Sequence, residues 1–248
     1  MEYINRTYRE HFRQDRWTYF VVRYKETDLW IGVDKASWQE GIVSFTERFV
    51  LDLRQEMDNW ISRHPDYAQA LVPYASTPDA PEIFREMDAV AEKSQIGPMS
   101  AVAGAVAQKT GQALKAEFGV KEVIVENGGD IYADIQEDLD IAVFAGPSPL
   151  SEKVGLHIEA RYAPLGICTS SGTVGPSLSF GKADAVMIIC RDTLLADTYA
   201  TAFANIIQTA DDVQSCTESI REKADIIAAI AIKDDKIGIC GIFELKLF

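Results

Sequence analysis

"KEVIVENGGDIYADI" (121–135) decides how the rest of the chain is read. Apolar and β-branched residues fill both ends, and Asn127, Gly128 and Gly129 sit in the middle. β-Branched residues favour extended backbone, while Asn-Gly-Gly supplies the positive φ angles of a tight reversal. The stretch predicts strand, glycine turn, strand. "WTYFVVRY" (17–24), "KETD" and "LWIGVD" predict a second hairpin. "LDIAVFAG" (139–146), "VGLHIEAR" (154–161), "LGICTS" (165–170) and "ADAVMIICR" (183–191) read as further strands. The closing "IIAAIAIKDDKIGICGIFELKLF" reads as a strand hairpin.

Helices fall between these groups. Phe45, Phe49, Leu53, Met57 and Trp60 or Ile61 recur at helical spacing, which predicts a core-facing helix up to Arg63. Ser37 and Glu40 have the spacing of a capping box for it. Residues 65–81, with Pro65, Pro73, Pro78 and Pro81, read as a loop. Residues 82–93 and 212–223 read as helices. "AVAGAVAQKTGQALKAEFG" (101–119) reads as a helix of small residues ending at Gly119. Its two internal glycines, Gly104 and Gly111, weaken it on propensity, so tight packing or a ligand must compensate. Grouped strands with intervening helices predict an α+β fold, one domain over residues 1–248.

The formal charge of −14 argues against a nucleic-acid partner, which selects a basic surface. Cys168, Cys190, Cys216 and Cys240 form no CxxC pair, which argues against zinc. Cys168 and Cys190 lie in apolar runs and read as small core residues. His11, His64 and His157 lack metal-ligand spacing, and no Gly-x-Ser-x-Gly elbow is present. "MEYINRTYREHFRQDRW" has no apolar signal core, and no apolar run approaches the roughly 20 residues of a membrane span. A cytoplasmic protein with no membrane partner is the expectation; the oligomeric state stays open.

Four clusters have the composition of a site. "GPMSAVAGA" (97–105) opens a helix, where free N–H groups suit phosphate, though a close helix contact accounts for it equally. "ENGGD" (126–130) is a bare hairpin turn or a loop that admits a flat ligand, with Asn127 and Asp130 bonding to it. "TSSGTVGPSLSFGKADA" (169–185) is a surface loop or a set of phosphate donors. "LLADTYATAFAN" (194–205) carries Asp197, Thr201 and Asn205 at i, i+4 and i+8 of an otherwise small and apolar helix. A carboxylate beside a hydroxyl suits a hard cation such as Mg²⁺. Alternatively, Asp197 serves the dipole of its own helix and Thr201 bonds back to a carbonyl.

In order and rough spacing, these clusters resemble the ApbE family of flavin transferases. "SAVAGA" (100–105) stands where that family has GG-I-A-K-G, "VIVENGGDI" (123–131) where it has N-x-GGD-I, "CTSSG" (168–172) where it has T-S-G, and "ADTYAT" (196–201) where it has A-D-A-x-A-T. The resemblance covers about residues 95–210. It implies a two-lobed α+β fold of mixed or antiparallel strands packed with helices, holding FAD in a cleft. It further implies Mg²⁺-dependent transfer of FMN to a hydroxyl of an acceptor protein, or cleavage of FAD to FMN and AMP. Asp197 and Thr201, with the Ala101 carbonyl, are then the implied metal ligands. Ser100, Asn127, Gly128, Gly129, Asp130, Thr169, Ser170, Ser171 and Gly172 are the implied cofactor-binding residues. Two departures stand out: Gly104 replaces the family's lysine, and "SLSFGKADA" replaces H-x-x-D-P. They motivate the alternatives of a flavin- or nucleotide-binding protein without transfer chemistry, or an assembly protein.

Overall fold

Period-two burial along the strands builds the architecture. The computed structural model describes residues 16–173 and 179–248. Strand β1 (Trp17–Tyr24) turns into β2 (Thr27–Asp34), all eight residues of which are buried. The helices α1 (Ile42–Ile61), α2 (Pro65–Gln69), α3 (Glu82–Ser94) and α4 (Val102–Phe118) follow without an intervening strand. Then come β3 (Val123–Asn127), β4 (Asp130–Asp134), β5 (Leu139–Ala142), β6 (Val154–Ile158), β7 (Leu165–Ser170) and β8 (Ala185–Cys190). Helices α5 (Thr193–Ile206) and α6 (Asp212–Arg221) precede β9 (Ile226–Lys233), β10 (Lys236–Gly241) and β11 (Glu244–Leu247).

Eight strands form one sheet in the order β1-β2-β3-β4-β7-β8-β9-β10, and β11-β6-β5 form a second. All these pairings are antiparallel. Leu29, Ile31, Val33, Val123, Val125, Val186 and Ile188 face the helices in one core. Their neighbours Trp30, Ile124, Met187 and Ile189 face the small sheet in another, with Ile141, Leu156 and Ile158. Central strands buried on both faces read as continuous apolar runs rather than alternations. Layers of helix, sheet and sheet give the expected α+β class. Among the described residues no helix is long and apolar enough to cross a membrane.

Several local expectations shift. Helix α1 starts at Ile42 after Gly41, whose φ is 92°, so Ser37 caps nothing there. Ser37 instead ends a 3-10 turn that Asp34 caps, and its hydroxyl accepts from Lys121 N at 3.2 Å. The loop at 65–81 contains α2, because Pro65 sits at a first helical position where its missing N–H costs nothing. The terminal hairpin has a third strand, β11, which leaves the large sheet to pair with β6. His11 and the part of the Ser/Gly loop at 174–178 lie outside the described residues.

Helix α5 lies hard against the sheet. A Cβ on Gly166 of β7 would sit 2.3 Å from the Thr193 Cα. Gly166→Ala is expected to lower unfolding free energy by about 3 kcal/mol in urea titration, since the obstacle is backbone.

On the small sheet, His157 Nδ1 meets Asp140 Oδ1 at 2.6 Å, and Lys246 reaches the same carboxylate at 3.1 Å. The Asp140 hydrogen bond raises the His157 pKa above 6.5, and the His157 bond lowers that of Asp140 below 3.8. The imidazolium contributes fully below pH 6.5 and is lost as pH rises through its folded value. The carboxylate contributes above 3.8 and is lost as pH falls through its lowered value. His157→Gln is therefore expected to lower Tm most between about pH 4 and 6.5, and least at pH 9. Both side chains are partly open to water, which keeps the effect within about 1 kcal/mol.

Candidate functional site

Helix α5 already has a cap of its own: the Asp192 side chain accepts from Leu194 N at 2.9 Å. Asp197, more than one turn further on, reaches α4 instead. Its Oδ2 accepts from Gly104 N at 2.8 Å, and Ala103 N donates to the same carboxylate. Val102 N, the first amide of α4, bonds back to Met99 O, but the N-cap residue Ala101 has no side-chain oxygen, so the amides after it have no side-chain cap of their own. Asp197 supplies that cap from another helix. Burial pushes its carboxyl up to about 7, while the two amides pull it down. The reading of Asp197 as serving the dipole of its own helix therefore does not hold.

The two helices meet at Gly104. A Cβ there would lie 2.6 Å from the Thr193 carbonyl oxygen and 2.9 Å from the Asp197 Cβ. A lysine at this position has no room, so the departure from the family pattern is built into the helix crossing. Close packing also compensates for Gly111, whose added Cβ would sit 2.3 Å from the Tyr132 ring.

The other motifs close on this crossing. Asn127 Nδ2 donates to Ala103 O at 3.1 Å. Gly128 and Gly129 turn the chain with φ of 71° and 107°, and Gly129 N donates to the buried Glu126 carboxylate at 2.8 Å. Thr169 N donates to Gly129 O at 3.1 Å, which joins the second motif to the third. Asp130 lies opposite Cys168 in the ladder. Burial raises the Cys168 thiol well above its usual value, and the Asp130 and Asp197 carboxylates add to that. Cys168 Sγ donates to Thr193 O at 3.5 Å.

Thr201 does not bond back to a carbonyl as the simple helix reading had it; its Oγ1 meets Ser170 Oγ at 3.5 Å. Ser171 Oγ and Gly172 N both donate to Ala183 O, at 3.4 and 2.9 Å. Ser100 Oγ bonds Gly97 O and Thr198 Oγ1, each at 2.7 Å, and Thr198 meets Ser94 Oγ at 2.7 Å. Ala101 is buried where its 3-10 turn passes into α4. Asn205 Oδ1 accepts from Phe180 N at 2.8 Å and from Ser179 Oγ at 3.2 Å. The polar stripe of α5 thus ties the helix to three separate segments.

Sequence reasoning missed Ala103 and Gly104 as amide donors, since their part is played by backbone. It also missed Cys168 and Thr198, which resemble ordinary small core residues until strand register places the first and helix packing the second. Surface hollows beside α1 (about 700 Å³, with Phe49, Leu53 and Trp60) and beside Arg16 and Glu122 (about 430 Å³) contain none of this cluster. Among the described residues no three His, Cys, Asp or Glu side chains converge as a metal group.

Comparison with known proteins adds the lineage. The family model described as AbpE bacteria matches residues 9–234. A UPF0280 protein of Methanocella arvoryzae is 39% identical over 189 residues, 76% of each chain. Another, from Methanocaldococcus jannaschii, is 36% identical over 223 residues, 88% of each chain. Among solved structures, the apo flavinyl transferase ApbE of Pseudomonas stutzeri superposes with a TM-score of 0.59 at 14% identity, covering 90% of this chain and 93% of that one. A mutant of the flavin transferase ApbE of Vibrio cholerae gives 0.58 at 14% identity, over 90% and 96%. At such identities the likeness is one of fold.

Replacing Asp197 by Ala leaves the Ala103 and Gly104 amides of α4 without this acceptor. In metal-free buffer Asp197→Ala is expected to lose about 2 kcal/mol in urea unfolding, and Asp197→Asn, which keeps one oxygen, less.

Proposed function

The chain belongs to the family described as AbpE bacteria, and we propose that the cluster around the α4–α5 crossing binds a flavin nucleotide, FAD, with Mg²⁺. The observation that carries this reading is convergence: four motifs separated in sequence are joined by Gly104–Asp197, Asn127–Ala103, Gly129–Thr169 and Ser170–Thr201 bonds. Bare helix packing does not require a glycine turn and a Thr-Ser-Ser-Gly loop at the same end of the sheet. The structural likeness to ApbE flavin transferases supports the choice of nucleotide.

The donors suit the cation in kind. The Asp197 carboxylate, the Thr201 hydroxyl and the Ala101 carbonyl are hard oxygens, as Mg²⁺ prefers. One carboxylate among neutral oxygens makes a weak site alone, so nucleotide phosphates complete it. When bound, Mg²⁺ supplies charge neutralisation at the diphosphate. Asn127, Asp130 and the backbone of Gly128 and Gly129 orient the nucleotide, and the hydroxyls of Thr169, Ser170, Ser171 and Ser100 offer donors beside it, with Gly172 lining the same cleft. The chemistry such a site would support is cleavage of the FAD diphosphate, with FMN passing to a hydroxyl of an acceptor protein and AMP leaving, or with water giving FMN and AMP. A second reading, binding without transfer, is favoured by Gly104, where the crossing excludes the family's lysine.

Thermal shift separates binding from its absence: Mg²⁺ with ADP or FAD should raise Tm, and Mg²⁺ alone should not. Incubation with FAD and Mg²⁺ should then release FMN, with EDTA stopping the release and Asp197→Asn slowing it about a hundredfold. Tight FAD binding with no FMN formed would select the second reading. No shift with any flavin or adenine nucleotide would sink both.

A further inference from the structure

The loop that follows the Thr-Ser-Ser-Gly motif contains an apolar residue in an unusual setting. Phe180 is 59% exposed, yet its backbone is held on both sides. Phe180 N donates to Asn205 Oδ1 at 2.8 Å, and Gln208 Nε2 donates to Phe180 O at 3.0 Å. Ser179 Oγ donates to the same Asn205 oxygen at 3.2 Å. Lys182 N donates to Ile207 O at 2.7 Å. Between them Gly181 lies so close to α5 that a Cβ would fall 1.9 Å from Ala204 O.

Fixing a segment this tightly while leaving its largest apolar side chain in water costs hydrophobic free energy that burial would recover. Ile206, on the next residue of α5 after Asn205, is likewise 52% exposed. The location is specific. Gly172 of the Thr-Ser-Ser-Gly motif packs against this segment, with an added Cβ only 2.2 Å from Gly181 O. Asn205 continues the stripe of Asp197 and Thr201 by one more turn of α5. Phe180 is therefore held beside the third motif, at the C-terminal end of the stripe.

We propose that Phe180 is a stacking platform for the planar ring system of the bound nucleotide, and that Asn205 is a positioning residue that holds the platform. The proposal rests on the nucleotide reading of the site. A phenyl face binds a flat heteroaromatic ring whichever edge the ring presents, so it adds affinity without demanding particular hydrogen bonds. Asn205 contributes through a single acceptor oxygen, because both bonds recorded for its side chain end on Oδ1.

Calorimetry with FAD, FMN and ADP in the presence of Mg²⁺ tests it, on the full chain and on four variants. Phe180→Ala should weaken binding about tenfold or more at unchanged Tm, and Phe180→Trp should retain it. Asn205→Leu should weaken binding similarly, whereas Asn205→Asp, which keeps the acceptor, should restore it. Loss for FMN alone assigns the isoalloxazine to the platform; loss for ADP alone assigns the adenine. If the unmodified protein binds nucleotide and Phe180→Ala binds equally well, the platform is wrong while the site stands. If the unmodified protein binds none of the three, the site reading fails and the platform falls with it.

Discussion

One carboxylate organises this molecule. The start of α4 has no side-chain cap of its own, and Asp197 takes the Ala103 and Gly104 amides from across a helix crossing. The bond is possible only because Gly104 lets the two backbones come close enough, and the crossing in turn sets where the Ala103 carbonyl waits for Asn127. Strand β3, the glycine turn and β7 then follow from ordinary antiparallel register.

Much of the fold was legible because its strands obey simple rules. "VIVENGGDIYADI" announced a hairpin through Asn127, Gly128 and Gly129, and the structure has that hairpin with both glycines at positive φ. Phe45, Phe49, Leu53, Met57 and Trp60 announced α1, and all pack on the helix-side core. What was not legible depended on partners remote in sequence. Ser37 had the local spacing of a cap, but its hydroxyl accepts from the Lys121 amide just before β3, and Gly41 is the N-cap residue of the helix. Strand β11 looked like part of a local hairpin, and only the exposed flank of β6 explains its departure.

The site divides along the same line. The sequence placed Asp197 and Thr201 on one helical face, and they do lie there, each bonded to a different motif. It did not distinguish a carboxylate serving its own helix from one serving another, because that choice depends on Asp192 having already capped α5. Cys168 shows the limit clearly. Nothing in "GICTS" sets it apart from a core cysteine, yet strand pairing sets it opposite Asp130, and both Asp130 and Asp197 of α5 act on its thiol.

The glycine contacts also bear on how positions in this protein should be ranked by experiment. Gly104, Gly166 and Gly181 each leave too little space for one more carbon, and what blocks each of them includes backbone of α5. A random-mutagenesis screen scored on activity would recover these three as readily as Asp197, since displacing α5 moves every donor mounted on it. Only a screen that also counts folded molecules would separate residues that touch a ligand from residues that set the spacing of the frame.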